Sequence, residues 1–370
     1  MFKKIMIMFA SFVLVTLLGM GAFLGTIYLQ STGELSAATY KGFGDETDVI
    51  AATKPMTILL MGVDTGSGAS RQDKWEGNSD SMILLSVNPK TKETTMMSLE
   101  RDILTRIGQD GQTAEAKLNA AYANGGAKLA IETVQDLMNI HVDRYILINM
   151  EGLVQLVDAV GGIEVTNEFD FPISIEENEP EFTAKVEPGT HTINGQQALV
   201  YARMRYQDPD GDYGRQKRQR EVISKVVKKV LSANSVGHYQ DVLKAVRNNL
   251  QTNIDLSAGS IPQLLGYQDA FKKIKNEQLR GEDAIMPDGG SYQIVKKSHM
   301  LEMQNLLRKS LGKETVDKVK TNAVLWEEIY EGETPTSGSR SSSNSTPSYE
   351  EPAPAPQTYE TVPAEGYYYE

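Results

Sequence analysis

The sequence predicts an α/β protein with a mixed central sheet and helices on both faces, preceded by one transmembrane helix. Between residues 55 and 330, short apolar runs alternate with longer stretches in which apolar residues recur every three or four positions. These are the spacings of buried strands and of amphipathic helices. Ahead of this region, residues 5–29 form an apolar run without a charged residue. Strands that interleave with helices pack as layers on one sheet, which gives the fold class.

The apolar run at residues 5–29 predicts an uncleaved membrane anchor. A bilayer core of about 30 Å needs roughly 20 helical residues, so this run is long enough to span it. Lys3 and Lys4 precede the run, and positive charge stays on the cytoplasmic side, so we expect residues 1–4 inside and the rest outside. A secretory signal peptide is the alternative, since Ser36–Ala38 could be cleaved, but its apolar region is normally only about 7–15 residues. We therefore expect a single-pass protein of the cell membrane.

The chain after the anchor divides into a linker, one large domain and a tail. Residues 30–54 are small, polar and aperiodic, as is typical of a juxtamembrane linker. Residues 55–330 are expected to form an extracellular domain with a sizeable core. Residues 331–370 are rich in Ser, Pro, Glu and Tyr. That composition cannot build a core, so it predicts a disordered tail.

The composition excludes several classes of function. The chain has no cysteine, so disulfides, thiolate metal sites and cysteine nucleophiles are excluded. Its formal net charge is -12, so we expect no nucleic acid among its partners. A transcription regulator is disfavoured further, because residues 1–4 are too few for a DNA-binding module in the cytoplasm.

Each element of the predicted domain follows from its own apolar pattern. Short buried runs predict strands at Thr57–Val63, Ser81–Val87, Thr94–Leu99, Tyr145–Ile148 and Gly162–Val165. Helical spacing predicts helices at Ala127–Ile140, Gly152–Ala159, Asn194–Ala202 and Gly214–Leu231, with more helix near Tyr239–Leu250 and Ile261–Lys273.

A first cluster of charged residues flanks the first three predicted strands. Asp64 follows strand one, and Asp80 precedes strand two. The turn signal at Asn88–Thr91 reverses the chain, so Arg101 and Asp102 return to the edge that holds both aspartates. Ligand sites gather at such edges, on loops held by rigid strands.

A second cluster surrounds the start of the longest predicted helix. Arg203 and Arg205 lie two residues apart, so in an extended segment they would point the same way. Arg215, Arg218 and Gln219 follow at i, i+3 and i+4, which places them on one helix face. A helix N-terminus suits a phosphate, and the planar fork of arginine binds phosphate oxygens through two hydrogen bonds.

Together the two clusters suggest a phosphate or pyrophosphate held by arginines and by a metal ion on Asp64 and Asp80. Mg²⁺ prefers oxygen ligands, typically one or two carboxylates together with the phosphates of the substrate; Mn²⁺ is the alternative ion. The competing interpretation is that these charges form ordinary surface ion pairs.

Five stretches in this order resemble the LytR–CpsA–Psr family, and within it the streptococcal or lactococcal LytR-like branch. The resemblance covers about residues 55–232, the motif core of the domain. Two positions depart from the family pattern: many members carry Arg where Asn78 stands and Pro where Glu100 stands. The matching stretches are Leu59–Asp64, Asn78–Leu84, Ser98–Asp102, Lys117–Tyr122 and Asn194–Leu199, the last continuing to Arg203, Arg205, Asp212, Arg215 and Gln219.

The resemblance implies an enzyme that transfers a cell-wall glycopolymer, such as a teichoic acid or a capsule polysaccharide, from a polyprenyl-pyrophosphate carrier to peptidoglycan. It also implies an apolar lipid pocket between sheet and helices, whose lining residues stay open. Three residues would be catalytic: Arg101, Asp102 and Asp212. Those that would bind pyrophosphate are Arg101, Lys117, Arg203, Arg205, Arg215, Arg218 and Gln219, and the metal ligands would be Asp64 and Asp80.

Two other functions fit the same residues. A protein that only binds polyprenyl pyrophosphate, or a pyrophosphatase, would need nearly the same constellation. Effects on transcription would then be indirect, through wall stress. The general base for the acceptor hydroxyl also stays open, because Asp102, Asp80 or Asp64 could serve.

Overall fold

The structure, a computed structural model, describes residues 54–64, 74–109, 111–232, 236–256, 264 and 266–330. The predicted anchor, the linker up to residue 53 and the predicted tail lie outside the described residues. Within the described ranges, no helix has both the length and the apolar character needed to cross a bilayer.

Twelve strands and seven α-helices make up the described part of the chain. The strands are β1 (Met56–Asp64), β2 (Asn78–Asn88), β3 (Glu93–Leu99), β4 (Leu104–Gln109), β5 (Gln112–Lys117), β6 (Arg144–Asn149), β7 (Ile163–Asn167), β8 (Gly189–Ile193), β9 (Leu250–Thr252), β10 (Ile274–Leu279), β11 (Glu282–Ile285) and β12 (Ser291–Ile294). The helices are α1 (Ala120–Met138), α2 (Met150–Ala159), α3 (Gly195–Arg203), α4 (Gly211–Ser232), α5 (Val236–Val246), α6 (Lys297–Ser310) and α7 (Trp326–Ile329), with a 3₁₀ helix at Gln268–Lys272.

The centre of the fold is a mixed six-stranded sheet in the order β10-β3-β2-β1-β6-β9. β2 is antiparallel to both β1 and β3, which confirms the predicted meander. β6 is parallel to β1, and β10 is parallel to β3. Three further pairs, β4–β5, β7–β8 and β11–β12, form separate antiparallel hairpins.

Helices cover both faces of the sheet, as predicted. Alternate residues of a strand point to opposite faces. On β1, Leu59 and Met61 therefore join one buried cluster, which also contains residues of α1 and α6. Ile58 on the same strand points the other way, into a cluster with Val246 of α5. The sheet thus separates two apolar layers, and the second layer supplies more of the apolar lining of the site described below.

The start of α3 is fixed tightly against α2. Asn194 and Gln197 form a capping box, in which each side chain bonds the backbone N–H of the other residue. This arrangement satisfies two N–H groups at the helix start. A Cβ on Gly195 would lie 2.2 Å from the carbonyl oxygen of Val154, so a glycine allows the two helices to approach. The C-terminal residue of α3, Arg203, is positioned by this contact.

Two predicted helices were wrong in part. The predicted helix at Tyr239–Leu250 ends at Val246, and Leu250 instead begins β9, which pairs with β6. Of the predicted helix at Ile261–Lys273, residues 261–263 and 265 lie outside the described residues, and Gln268–Lys272 is a 3₁₀ helix. In both cases apolar spacing alone did not distinguish a helix from the short strand or turn that follows it, because all three bury apolar residues against the sheet.

Candidate active site

The first three strands bring their charged ends together at one edge of the sheet, as the predicted meander requires. The Arg101 guanidinium pairs with Asp80, with 2.9 Å between Nη1 and Oδ2. Asn119 donates from Nδ2 to the other Asp80 oxygen at 2.8 Å. On the neighbouring strand, Asp64 pairs with Arg203 at 3.2 Å. Residues from β1, β2, α3 and the loop after β3 therefore meet at this edge.

Helix α4 adds a second set of side chains to the same edge. Arg215 Nη2 lies 2.7 Å from Asp212 Oδ1 and donates to the Asp80 carbonyl oxygen at 3.3 Å. Ser81 donates to Gln219 Oε1 at 2.9 Å. Asp212 also lies 4.0 Å from Arg101. The two clusters predicted from the sequence are therefore a single site.

This site opens into a cavity of about 550 Å³ between the sheet and the helices. Most lining residues are apolar and come from the sheet and from the helices on one of its faces, among them Ile58, Leu60, Ile146, Leu156, Val222 and Ile223. One part of the lining, at the sheet edge, is charged; we call it the cavity mouth. Of the predicted site residues, the mouth contains Asp64, Asp80, Arg101, Arg203, Arg205, Arg215 and Gln219.

Three arginines of the mouth each have one nitrogen that donates no hydrogen bond. The Nε atoms of Arg101, Arg203 and Arg215 are buried and have no hydrogen-bond partner. Buried donors are nearly always satisfied in folded proteins, so an unsatisfied one needs an explanation. Arg220, which does not line the cavity, shows the same feature, so it is the guanidinium charge at the cavity that suits an anionic ligand. We call Arg101, Arg203 and Arg215 the mouth arginines.

Arg205 completes the mouth on its exposed side. Its guanidinium lies 4.6 Å from the centre of the Tyr206 ring and donates to the Tyr206 hydroxyl at 2.7 Å. Tyr206 also lines the cavity, although 67% of its surface is exposed. The two residues therefore form a rim that faces solvent.

Arg218 does not join the site, in contrast to the helical-face prediction. Its Nε donates to the Tyr201 carbonyl oxygen at 2.9 Å, and its other nitrogens bond Asp208 and the Met204 carbonyl oxygen. A helix turns by about 100° per residue, so positions i+3 and i+4 straddle position i on opposite sides. Gln219 lies on the cavity side of Arg215, and Arg218 lies on the other side.

Lys117 and Asp102 lie beside the mouth without lining the cavity. Lys117 Nζ is 2.8 Å from Asp102 Oδ1, and the other Asp102 oxygen is 3.5 Å from Arg101 Nε. Lys117 also lies 5.7 Å from the centre of the Tyr292 ring. The structure thus connects both predicted residues to the site through Arg101.

Sequence reasoning missed two acidic residues of the site. Glu179, in the loop between β7 and β8, lines the cavity and pairs with Arg203 at 2.5 Å. Nothing in the aperiodic run around it indicates this long-range partner. Glu100 is fully buried and accepts a hydrogen bond from Gln216. Its position next to Arg101 and Asp102 in the motif was the available signal.

The pKa values of the two neighbouring acids Glu100 and Asp212 are shifted in opposite directions. Burial, together with the negative charge of Asp212 and a hydrogen bond to it, raises the pKa of Glu100 to about 8. Burial also opposes ionisation of Asp212, but the Arg215 charge, a hydrogen bond from Gln216 and the Arg101 charge hold the pKa of Asp212 below its ordinary value. One proton therefore resides on the Glu100 side of this pair at neutral pH.

Asp64 and Asp80 have the chemistry of a magnesium site completed by substrate. Both carboxylates line the same cavity. Mg²⁺ commonly takes one or two carboxylates together with substrate phosphates and water. No group of three His, Asp or Glu side chains within the described ranges is placed to hold an ion by itself. Two carboxylates alone would leave most of the coordination of such an ion to phosphate oxygens and water.

Comparisons with known proteins identify the family of the chain. The model of the LytR_cpsA_psr family matches residues 26–309. Biofilm regulatory protein A of Streptococcus mutans is 60% identical over 350 residues, which are 92% of this chain and 86% of that protein. The polyisoprenyl-teichoic acid–peptidoglycan teichoic acid transferase TagU of Enterococcus faecalis is 45% identical over 260 residues, which are 70% of this chain and 80% of that protein.

Solved structures give the same result. The crystal structure of protein gbs0355 from Streptococcus agalactiae has a TM-score of 0.73 and 60% identity, and the match covers 76% of this chain and 96% of that one. The structure of TagT bound to LIIa-WTA has a TM-score of 0.59 and 27% identity, covering 74% and 95%. On these matches the chain belongs to the LytR–CpsA–Psr family.

Proposed function

We propose that the protein is a phosphotransferase that moves a cell-wall glycopolymer from a polyprenyl-pyrophosphate carrier to peptidoglycan. One observation carries the proposal: a single cavity joins an apolar interior to a mouth lined by Arg101, Arg203, Arg205 and Arg215. A ligand that fits both parts has a long apolar chain and a multiply charged head group.

The carrier lipid matches the two parts of the cavity. The prenyl chain would lie among the apolar side chains between sheet and helices, where burial removes it from water. The pyrophosphate would lie at the mouth, where Arg101, Arg203, Arg205 and Arg215 supply charge and Gln219 an amide. The relative named TagU, a teichoic acid transferase by name, and the TagT structure bound to LIIa-WTA support this assignment.

The reaction exchanges one phosphorus–oxygen bond for another. A hydroxyl of the peptidoglycan acceptor attacks the phosphorus that carries the glycopolymer, and a phosphodiester forms. The bond from that phosphorus to the bridging oxygen breaks, and polyprenyl phosphate leaves with the electron pair. The hydroxyl proton passes to one of the carboxylates at or beside the mouth, Asp102, Asp80 or Asp64, and then to solvent. Such transfers depend mostly on positioning and on stabilising charge.

The remaining site residues position the reacting groups. Asp212 orients Arg101 and Arg215, with which it pairs. Lys117 would reach the head group from beside the mouth. Asp64 and Asp80 would hold Mg²⁺, or Mn²⁺ in its place, and the bound ion would neutralise charge on the phosphates. Arg218 has a supporting role, because its bonds all go to the chain around Tyr201 and Asp208.

The proposed location follows from the substrates. An anchor at residues 5–29 would keep the site close to a donor that is itself a membrane lipid. The linker would set how far the site reaches towards the wall. A reporter fused to the C-terminus tests the topology, and activity of a reporter that works only in the cytoplasm would contradict it.

Transfer in vitro tests the function. Lipid-linked glycopolymer and peptidoglycan are incubated with the full chain and Mg²⁺, and the products are separated. We expect a new phosphodiester and polyprenyl phosphate, with transfer lost in Asp80→Ala and Arg101→Ala. Arg106→Ala is the matched control, because Arg106 forms an exposed pair with Glu115 on the β4–β5 hairpin.

Each other outcome has a distinct meaning. Free phosphate without transfer would identify a pyrophosphatase, and binding without turnover would identify a carrier-binding protein. Full activity in Asp80→Ala and Arg101→Ala would show that the cavity mouth is not the active site.

A further inference from the structure

Glu100 lies directly beneath the cavity mouth and is the most unusual acid of the site. Only 2% of its surface is exposed. Its side chain accepts a hydrogen bond from the Gln216 amide nitrogen, and the same nitrogen donates to Asp212 at 2.9 Å, so the two carboxyl groups lie side by side. None of its hydrogen bonds within the described ranges comes from a lysine or an arginine. An acid in this environment is held by an amide and by another acid.

Two acids in contact cannot both be ionised without strong repulsion. Removing a charge from water without a counter-ion is also expensive. The charged and titratable groups that face Glu100 are Asp212, Tyr213 and Arg215 on α4, and Arg101 and Asp102 in its own segment. Asp212 is the member with cations close by, at 2.7 Å from Arg215 and 4.0 Å from Arg101. The negative charge therefore belongs on Asp212 and the proton on Glu100.

We propose that Glu100 is a positioning residue: its protonated carboxyl group donates a hydrogen bond to Asp212 and so holds Asp212 against Arg101 and Arg215. This inference rests on the proposed function, because the two arginines matter as pyrophosphate ligands. Gln216 supports the arrangement, since its amide bonds both Glu100 and Asp212. Gln278 of β10 in turn donates to the Gln216 oxygen at 2.8 Å. The chain of contacts runs from the sheet to the mouth.

Loss of the Glu100 proton would disrupt these contacts. Two carboxylates would then repel each other beneath the mouth, and Asp212 would lose its orienting donor. The arginines that Asp212 holds would shift away from the pyrophosphate. The pKa of Glu100, raised to about 8 by burial and by Asp212, places this change in the mildly alkaline range.

Pyrophosphate affinity across pH tests the inference. Binding of inorganic pyrophosphate with Mg²⁺ is measured from pH 6 to pH 9.5 for the wild type, Glu100→Gln, Glu100→Met and the matched control Glu132→Gln on the exposed face of α1. Glutamine keeps a hydrogen-bond donor and cannot ionise, whereas methionine fills the space without a donor. All proteins bind the same form of the ligand at a given pH. The ratio of their affinities at that pH is therefore independent of the ionisation of the ligand.

We expect the wild type and Glu132→Gln to lose affinity relative to Glu100→Gln as pH rises past about 8. Glu100→Met should bind more weakly than Glu100→Gln at every pH, on the order of tenfold, because it lacks the donor to a charged group. The same ratios are expected in the KM for the lipid-linked donor. Thermal unfolding of each variant shows that the proteins compared are folded.

An identical pH dependence of the wild type and Glu100→Gln overturns the inference, as does equal affinity of folded Glu100→Met and Glu100→Gln. If Glu100→Met fails to fold, the comparison of the wild type with Glu100→Gln still tests the inference. A wild type that shows the expected affinity ratios but transfers no glycopolymer would contradict the proposed function and leave the role of Glu100 standing.

Discussion

Two regions of this protein use buried arginines in opposite ways. Arg218 has nearly all of its donors satisfied, by Asp208 and by two backbone carbonyl groups. The mouth arginines are also largely buried, but each leaves its Nε without a partner. Arg218 holds together the chain around it, whereas the mouth arginines line the cavity. Burial is similar in both regions, and contact with the cavity separates them.

The largest effect that tests this comparison is expected from Arg218→Met. The Asp208 side chain is only 6% exposed, so removing its cation leaves a buried charge unpaired. Such a change costs about 3–5 kcal/mol in free energy of unfolding, measurable by urea denaturation. Arg106→Met is the control, because exposed pairs contribute less than about 1 kcal/mol. A loss as small as that of the control would contradict a structural role for Arg218.

Arg215→Met, three residues earlier on the same helix, is expected to affect activity more than stability. Asp212 keeps Gln216 as a donor at 2.9 Å and Arg101 nearby, so the loss in unfolding free energy should be smaller than for Arg218→Met. The kcat/KM of transfer should fall by about 10²–10³, the effect of removing one preorganised donor. If instead Arg215→Met keeps full activity and unfolds as easily as Arg218→Met, both arginines have a structural role and the comparison is wrong.

Because of the Glu100 carboxyl group beneath the mouth, the unfolding free energy of the wild type should change with pH in a defined direction. Its pKa is raised from 4.5 to about 8 on folding, so the folded state binds a proton that the unfolded state releases. Unfolding free energy therefore falls as pH rises from about 4.5 and levels off above about 8. Relative to Glu100→Gln, the wild type should lose about 2.5 kcal/mol between pH 5 and pH 7. Parallel curves from urea denaturation would show that Glu100 is ionised in the folded protein.

A substitution that fills the apolar interior should weaken binding of the lipid chain without changing binding at the mouth. Ile223→Trp places a larger ring at a half-buried position of the cavity lining. We expect about tenfold weaker binding of a polyprenyl pyrophosphate, close to 1.4 kcal/mol, and unchanged binding of inorganic pyrophosphate. Ile223→Leu, which conserves volume, is the control. Equal weakening of both ligands would mean that interior and mouth are not independent.

The smallest effect is expected beside the mouth, at Lys117. Its side chain is 37% exposed and pairs with Asp102, so solvent weakens its contribution. Lys117→Met should reduce kcat/KM by roughly threefold, within the range of a surface ion pair. Lys128→Met is the control, because Lys128 forms an exposed pair on α1. A loss as large as that of Arg215→Met would place Lys117 among the principal phosphate ligands.

Much of the fold could be predicted because its central elements carry strong local patterns. β1, β2 and β3 read as buried apolar runs, and the turn at Asn88–Thr91 gave their direction. The hairpins β4–β5 and β7–β8 were missed or half-predicted, since β5 and β8 are mostly exposed and have little apolar signal. Helix α6 was also missed, although Met300, Met303 and Leu307 have helical spacing.

The sequence by itself determined the residue types of the site and the edge where they meet. The order of strands and turns fixes which chain ends coincide, so Asp64, Asp80 and Arg101 could be placed together from local signals. Tertiary structure alone decided which arginines face the cavity. Arg215 and Arg218 are the same residue type one turn apart, and only the packing of α4 against β2 and α3 determines which side faces the cavity. Tertiary structure also decided the protonation of Glu100, because its burial and its contact with Asp212 arise from residues far apart in the chain.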